Sequence, residues 1–528
     1  MVDTEEQQPE ASNPIRTHEQ LREQLTAQGY WVSTPLVTLP AHWLQQGEQR
    51  LEASHYADET FQASRVVRDC SFEAKSLRAW GVTAYHPTQN QPRSNFKRIF
   101  ATPETGVPFL SASEMYAFRP TSDKYLSQTM RKLDELRVSP QTLLISRSGT
   151  VANPILVNQR LSRFAVTDDA IRISPGVLLV GYLYAFLASW IGRALVKKNQ
   201  YGSAVKHLEA THILSVECPL VPQEEQQAIH NDILRAYELR DEANELLDEA
   251  DKLLHSELGL PRFDKRLVPY LPQPQNQASN RPKMPNLCAF TTTASILDAR
   301  LDCSYHVPVA RTAISLLQGG HYQPVQLEEI VKDVCLPSRF KRIYVPKKYG
   351  VPFLQGSHLP QIKIYDLKYI SKKANAKHID SVTVRSGWIL LTRSGTIGRV
   401  AVVSSVQDGW AVSEHLIRII PDYEKGHPGY ITAFLMTPYG QHQLIAKIYG
   451  AVVDELTEDD TKTVQIPNAP IGIQQAIGSL VITAFEKKEE AIAIEEAAIY
   501  RLESMLTQAS EELVIEEMEA AIEELSTD

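Results

Sequence analysis

Residues that redox, membrane and nucleotide-driven proteins depend on are scarce in this chain. Among 528 residues there are five cysteines, at 70, 218, 288, 303 and 335. Their number is odd and no two form Cys-x-x-Cys, which argues against a disulfide frame or a zinc ribbon and predicts free thiols in a reducing cytoplasm. No apolar run approaches the roughly 18 residues a membrane helix needs; the best, Val177 to Ile191, is interrupted by Gly181. Residues 1–13 are acidic and polar, unlike a signal peptide. A Gly-x-x-x-x-Gly-Lys-Ser/Thr phosphate loop is missing, so ATP-driven translocation is not expected of this chain, and no Gly-x-Gly-x-x-Gly follows a strand. The Asn/Asp-Pro-Pro-Tyr/Phe tetrapeptide of an amino-methyltransferase is missing too. His207 and His212 are spaced for neither a helix face nor a zinc set. One nuclease-like constellation is present, Asp58 with Glu73-Ala74-Lys75. It has no counterpart elsewhere and such spacing arises readily by chance.

What the chain does have, it has twice. Phe96-Lys97-Arg98-Ile99, Gly106-Val107-Pro108-Phe109-Leu110 and Lys124-Tyr125-Leu126-Ser127 return 244 residues later as Phe340-Lys341-Arg342-Ile343, Gly350-Val351-Pro352-Phe353-Leu354 and Lys368-Tyr369-Ile370-Ser371. Leu144 to Thr150 returns as Leu390 to Thr396, an offset of 246, and Gln226-Gln227-Ala228-Ile229 as Gln474-Gln475-Ala476-Ile477, an offset of 248. Solenoid units run about 20–50 residues, so a period this long means two copies of a whole domain, each followed by its own helix.

The net charge of −9 is unevenly spread. Residues 50–222 carry +7 and 300–467 carry +5, whereas 223–258 carry −8 and 468–528 carry −11. Two basic domains are thus separated by two acidic helical segments, and charge by domain is what speaks to a polyanionic partner. The implied divisions are an N-terminal extension, 1–49, with a short helix at 17–28; a first domain, 50–222; a first spacer helix, 223–258; a Pro- and Asn-rich linker, 259–299; a second domain, 300–467; and a second helix with an acidic tail, 468–528.

Leu143 to Ser146 with Ala152 to Val157, and Trp388 to Thr392 with Arg399 to Val403, read as strand–loop–strand units. Leu178 to Leu195 and Gly429 to Ile445 read as helices. Ile229, Asp232, Ala236, Leu239, Ala243, Leu246, Ala250 and Leu253 form a heptad seam with a polar slip at Asp232. Ile477, Val481, Ala484, Ala491, Ala498, Leu502 and Met505 form another, interrupted by Lys488 and Glu495. Packed antiparallel, these helices would relate the halves by a pseudo-twofold axis; the alternative docks each on its own domain. The fold class is α+β, two similar mixed domains joined by two long coiled-coil helices.

Two loops carry the clearest binding chemistry, Ser146-Arg147-Ser148-Gly149-Thr150 and Thr392-Arg393-Ser394-Gly395-Thr396. Glycine allows positive φ and close approach, the hydroxyls can donate to phosphate, and arginine can fork onto phosphate or guanine. The same residues also suit a tight turn whose arginine pairs with an acid. Lys97 with Arg98, and Lys341 with Arg342, are basic pairs that either meet phosphate or form a solvated edge. Arg172 and Arg418 alternate with isoleucines and are expected to point outward. Tyr201-Gly202 and Tyr449-Gly450 read as packed turns or base-stacking sites.

Leu143 to Thr150, Ile389 to Val403, Arg300-Leu301-Asp302-Cys303-Ser304-Tyr305 with its echo Arg50 to Tyr56, and Pro222 to Ile229 with Pro470 to Ile477 together resemble the specificity subunits of type I restriction–modification systems (HsdS). The likeness spans roughly residues 50–510. The first loop departs from the family pattern at Val151-Ala152-Asn153, where Ile-Gly-Arg is usual and the second loop has Ile397-Gly398-Arg399. The resemblance implies two target-recognition domains, each reading one half of a bipartite asymmetric site in double-stranded DNA. Lys97, Arg98, Ser146, Arg147, Ser148, Thr150, Lys341, Arg342, Thr392, Arg393, Ser394, Thr396 and Arg399 are the expected DNA-binding residues. It further implies that the chain is not an enzyme and binds no cofactor or metal. Two methyltransferase subunits would use S-adenosylmethionine for adenine-N6 methylation, and motor-nuclease subunits would use ATP and Mg²⁺ for restriction. The alternatives are a self-contained Mg²⁺-dependent endonuclease built on Asp58, Glu73 and Lys75, and a non-restriction phage-defence DNA-binding subunit on the same scaffold.

Overall fold

Each half of the chain builds three corresponding sheets, the first half adding an edge strand, Phe100–Ala101, to its second sheet. The computed structural model describes residues 59–89, 93–149, 151–198, 207–264, 300–303, 305–450 and 454–526, with isolated residues 268, 290 and 297, and backbone only at 509–526. The expected helix at 17–28, Asp58, Thr150, Tyr201-Gly202, Cys288, the Arg50 to Tyr56 echo and most of the linker lie outside the described residues.

In the first half, strands run Thr83–Tyr85, Ala170–Ser174, Leu143–Ser146 and Pro154–Leu156 in spatial order; in the second they run Val331–Cys335, Leu416–Pro421, Ile389–Thr392 and Val400–Val402. The central strands, Leu-Leu-Ile-Ser and Ile-Leu-Leu-Thr, are buried on both faces, which is why they read as continuous apolar runs rather than alternating ones. A second sheet in each half sets an antiparallel hairpin beside a parallel partner, Gly106–Leu110 with Ala165–Val166 and Gly350–Leu354 with Ala411–Val412. A third pairs Ala74–Ser76 with Glu217–Pro219, and Pro324–Gln326 with Gln465–Pro467.

Arg172 and Arg418 do not point outward. Arg172 is 3% exposed and donates to the carbonyls of Val166 (3.0 Å) and Thr167 (3.1 Å), while Arg418 donates to those of Thr383 (3.2 Å) and Leu336 (3.3 Å). Arg172 reaches from its own sheet to the end of the Ala165–Val166 strand in the second sheet, and Arg418 satisfies carbonyls just past the neighbouring Val331–Cys335 strand and at the end of the Ala376–Val382 helix.

The two apolar stretches read as single helices are helix pairs. Val180–Ala188 and Trp190–Lys198 break at Ser189, and Pro428–Met436 and Pro438–Ala446 break at Thr437, again 248 residues apart. Ser189 Oγ donates to the Phe186 carbonyl and accepts from Gly192 N–H; Thr437 Oγ1 does the same with Phe434 and Gly440. A hydroxyl that serves both ends ends one helix and starts the next.

The long helices, Gln223–Glu257 and Ile471–Ser526, pack antiparallel, joined by Glu225–Arg501, Arg240–Glu495 and Glu242–Lys487. The first spans about 52 Å at 1.5 Å per residue. Its buried seam is Ile229, Ile233, Ala236, Arg240, Ala243, Leu247, Ala250 and Leu254, with Leu239 buried against Ala491 beside it, so Asp232, Leu246 and Leu253 lie off it and Ile233, Leu247 and Leu254 take their places. In the second helix Lys488 and Glu495 stay in the seam and are buried. Close crossings attach each short helix pair to its long helix: a Cβ at Gly181 would lie 2.6 Å from the His230 carbonyl oxygen, and one at Gly429 would press on that of Gly478.

Candidate nucleic-acid interface

The two Ser-Gly loops share a left-handed glycine but not the same internal hydrogen bonds. Gly149 and Gly395 have φ of +75° and +72°, and a Cβ at either would meet nothing within 4 Å. The backbone dihedral, rather than crowding, therefore demands glycine, and the loop tips stay open to approach. Ser146 Oγ donates to the Ser148 carbonyl, and Thr392 Oγ1 donates to the Thr396 carbonyl, both at 2.6 Å. Ser148 Oγ donates to Asp169, and Ser394 Oγ lies 2.6 Å from His415 Nδ1.

The loop arginines adopt the turn-forming arrangement in both halves. Arg147 Nη2 lies 2.6 Å from Glu209 Oε1, and Arg393 Nη2 lies 2.6 Å from Glu455 Oε2, acids again 246 residues apart. His86 also meets Glu209, at 3.0 Å, and burial pushes its pKa down against the pull of that carboxylate. Arg98 and Arg342 likewise have intramolecular partners. Arg98 stacks 4.8 Å over Phe109 and pairs with Asp168; Arg342 stacks 4.9 Å over Phe353 and pairs with Glu414. Such cation–π and ionic pairing fixes the base of each hairpin. Arg300 behaves the same way, chelating Asp302 and donating to the carbonyls of Lys447 and Ile448.

Among the expected residues, Lys97, Arg98, Lys341, Thr396 and Arg399 present exposed side chains, Arg98 while paired with Asp168, and Ser148 and Ser394 are half-buried. Thr150 lies outside the described residues. Glu73 and Lys75 pair with each other at 2.6 Å on an exposed strand, and among the described residues no group of three His, Cys, Asp or Glu side chains could hold a metal. His207 pairs across a β-bridge with Ser148, and His212 Nδ1 accepts from the Glu209 N–H, so both belong to the loop's own scaffold. Tyr449 pairs in a backbone bridge with Glu455 and keeps 42% of its surface exposed. Cys70 and Cys218 are buried, and burial raises both thiol pKa values.

Reading motif by motif missed the exposed apolar edge beside each basic pair. Ile99 and Phe100 are 48% and 58% exposed, and their repeat equivalents Ile343 and Tyr344 are 45% and 46% exposed. Tyr349 is exposed too, with Lys348 Nζ 4.7 Å from its ring and Lys368 Nζ 5.3 Å from that of Tyr344. Residues 343–349 are held against 368–372 by hydrogen bonds from Val345 to Tyr369, Ser371 to Ile343 and Lys372 to Tyr349, so these groups share one edge. Between 339 and 377 ten Lys and Arg stand against the carboxylate of Asp366 alone. The signal was in the sequence, as aromatics interleaved with cations in Lys341-Arg342-Ile343-Tyr344 and Lys347-Lys348-Tyr349.

Among the described residues, no helix is long and apolar enough to cross a membrane. No curated protein matches the chain. Solved structures similar to most of it include the S subunit of a type I restriction-modification system from M. genitalium, 12% identical, covering 83% of this chain and 96% of that one with a TM-score of 0.33. The HsdS subunit from Thermoanaerobacter tengcongensis is 13% identical, covering 84% and 95% with a TM-score of 0.25. A structure described as bearing on assembly and conformational transition of the type I R-M system is 13% identical, covering 84% and 97%, again at 0.25. The match that carries weight is to the family described as type I restriction modification DNA specificity domain, over residues 322–501. Residues 322–501, with the Ile389 to Val403 loop and the Gln474-Gln475-Ala476-Ile477 helix entry inside them, thus carry a type I restriction–modification DNA specificity domain.

Proposed function

We propose that the chain is a DNA-reading specificity subunit whose two halves each contact one half of a bipartite duplex site. Methyltransferase subunits would dock on the acidic helices and methylate adenine N6 at that site. Motor-nuclease subunits would complete a restriction enzyme, and this chain would contribute recognition without catalysis. The observation that carries the reading is the pair of equivalent edges, Lys97 with Ile99-Phe100 and Lys341 with Ile343-Tyr344, exposed at the same place on two repeated folds. Positive charge supplies sequence-independent grip on phosphate, while exposed rings and loop-tip hydroxyls can meet base edges. The loops around the edges differ in sequence, so the half-sites should be unlike.

Selection of bound duplexes from a random-sequence pool, with the chain and its methyltransferase partners together, should enrich two unlike short motifs at a set spacing. A single contiguous motif, or no enrichment, overturns the reading. In the same assay Tyr344→Ala should relax one half-site only, by about 1–3 kcal/mol if the ring meets a base. Lys341→Ala should instead weaken all sequences alike and reduce the salt dependence.

A further inference from the structure

The two halves meet directly as well as through the long helices. Phe118 N–H donates to the Pro360 carbonyl at 2.7 Å, Ile362 N–H donates to the Tyr116 carbonyl at 2.8 Å, and Ala117 sits opposite Gln361. Tyr116 and Pro360, Ala117 and Gln361, and Phe118 and Ile362 are each 244 residues apart, the offset of the repeat itself. The chain therefore pairs with its own repeat equivalent, as two subunits do across a twofold axis. One residue further on, Arg119 and Lys363 are again equivalent, and each reaches a carboxylate on the long helix that follows its own domain, Asp248 at 3.0 Å and Glu495 at 2.7 Å.

Glu495 is fully buried and gathers groups from three other parts of the molecule. It accepts from Arg240 on the first long helix (2.5 Å), Lys363 in the second domain (2.7 Å) and Tyr184 in the first domain (2.9 Å). Tyr365 OH, 3.4 Å from Tyr184 OH, donates across the interface to the Pro154 carbonyl. Asn244 of the first helix donates to the Phe118 carbonyl at 2.9 Å, tying the same strand to the helix pair.

Such a cluster is a poor way to gain stability. Desolvating three charges is costly, and Arg240 Nε and Nη1 meet no acceptor among the described residues. What it supplies is uniqueness. The repeat equivalent of Arg240 is Lys488, and that of Glu495 is Leu247, so the cluster forms in one alignment of the helices only. A slip of one heptad, about 10.5 Å, would set Glu495 against Ile233 or Leu247 and leave Arg240 without its carboxylate.

We propose that this clasp, not helix length alone, sets the separation and angle of the two DNA-reading edges. Arg240, Lys363 and Glu495 are then positioning residues for spacer length. The proposal rests on the bipartite reading above, and its test separates the two. The variant combines Arg240→Met, Lys363→Met and Glu495→Leu, which keeps volume and removes every charge together; Ile362→Pro, which deletes one interdomain N–H, is a second and independent lesion. Fluorescent labels placed by unnatural amino acids at exposed Arg131 and Lys373 report the distance between domains in the full chain without DNA. The wild-type chain should give one narrow distance distribution, and both variants should keep a cooperative melt while the distribution broadens. With the random duplex pool and the methyltransferase partners, preference for one spacer over its neighbours should fall about tenfold. A distance distribution that stays narrow in both folded variants overturns the clasp. A narrow wild-type distribution that broadens in the variants upholds it even if no bipartite site is selected, a result that would instead overturn the functional reading.

Discussion

At the residue scale, the informative positions are the polar ones inside apolar seams. Lys488 and Glu495 stand out in the sequence as interruptions of a heptad, but nothing there names their partners, since Glu495 meets an arginine 255 residues earlier. Burial pushes the Glu495 carboxyl up, yet Lys363 and Arg240 outweigh it and hold its pKa at about 2, against an ordinary 4.5. A depressed carboxylate stabilises the fold above its ordinary pKa and loses that contribution as pH falls, here between about 4.5 and 2. Denaturant melts of Glu495→Gln should therefore show a flatter stability decline across that window than the wild-type chain. Buried His358 is held down at about 4, so its own loss lies higher, between 6.5 and 4, and should persist in that variant. Glu495→Leu alone, which strands Arg240 and Lys363, should cost about 3–5 kcal/mol at neutral pH.

At the scale of elements, periodicity located the two long helices and the two apolar helical stretches but not where each ends, and it missed the amphipathic helices Glu59–Asp69 and Pro308–Gln318. The apolar stretches from 178 and from 429 look continuous because the first short helix of each pair is buried on nearly every face, so no polar stripe precedes the break. The hydroxyls of Ser189 and Thr437, placed before Gly192 and Gly440, mark it, joined in the second half by Pro438 at the first position of the next helix. The crossing of the second short pair with its long helix supplies a test. Gly429→Ala would drive a Cβ into the Gly478 backbone and should cost about 1–3 kcal/mol, read as a lower Tm. Gly472→Ala, early in the same long helix with nothing within 4 Å of its Cβ, should leave the fold intact and stabilise it by up to about 1 kcal/mol.

At the scale of the whole molecule, charge is divided so that the domains attract a polyanion and the helices repel it. The cationic edge from 339 to 377 is denser than its equivalent in the first half, where 95–133 hold six Lys and Arg against three Asp and Glu. Replacing Lys347, Lys348 and Lys372 with Gln should lower the slope of log affinity against log salt by about 0.9 for each phosphate that a lysine had neutralised, without changing the selected motif. The sequence by itself determined that the molecule is a repeat of two basic domains with acidic helices between. Offset, net charge and heptad spacing are properties of chain order and need no neighbours. It also determined the glycines of the two loops, because a positive φ is a demand of the local backbone. Which cations remain available was decided only by tertiary structure. Arg98, Arg147, Arg342 and Arg393 look in sequence like Lys97 and Lys341, and their acids at 168, 209, 414 and 455 lie some 60 to 70 residues away. The pairing of Ala117 with Gln361 was likewise decided there, since a contact across a twofold relation exists only once both copies are folded and brought together.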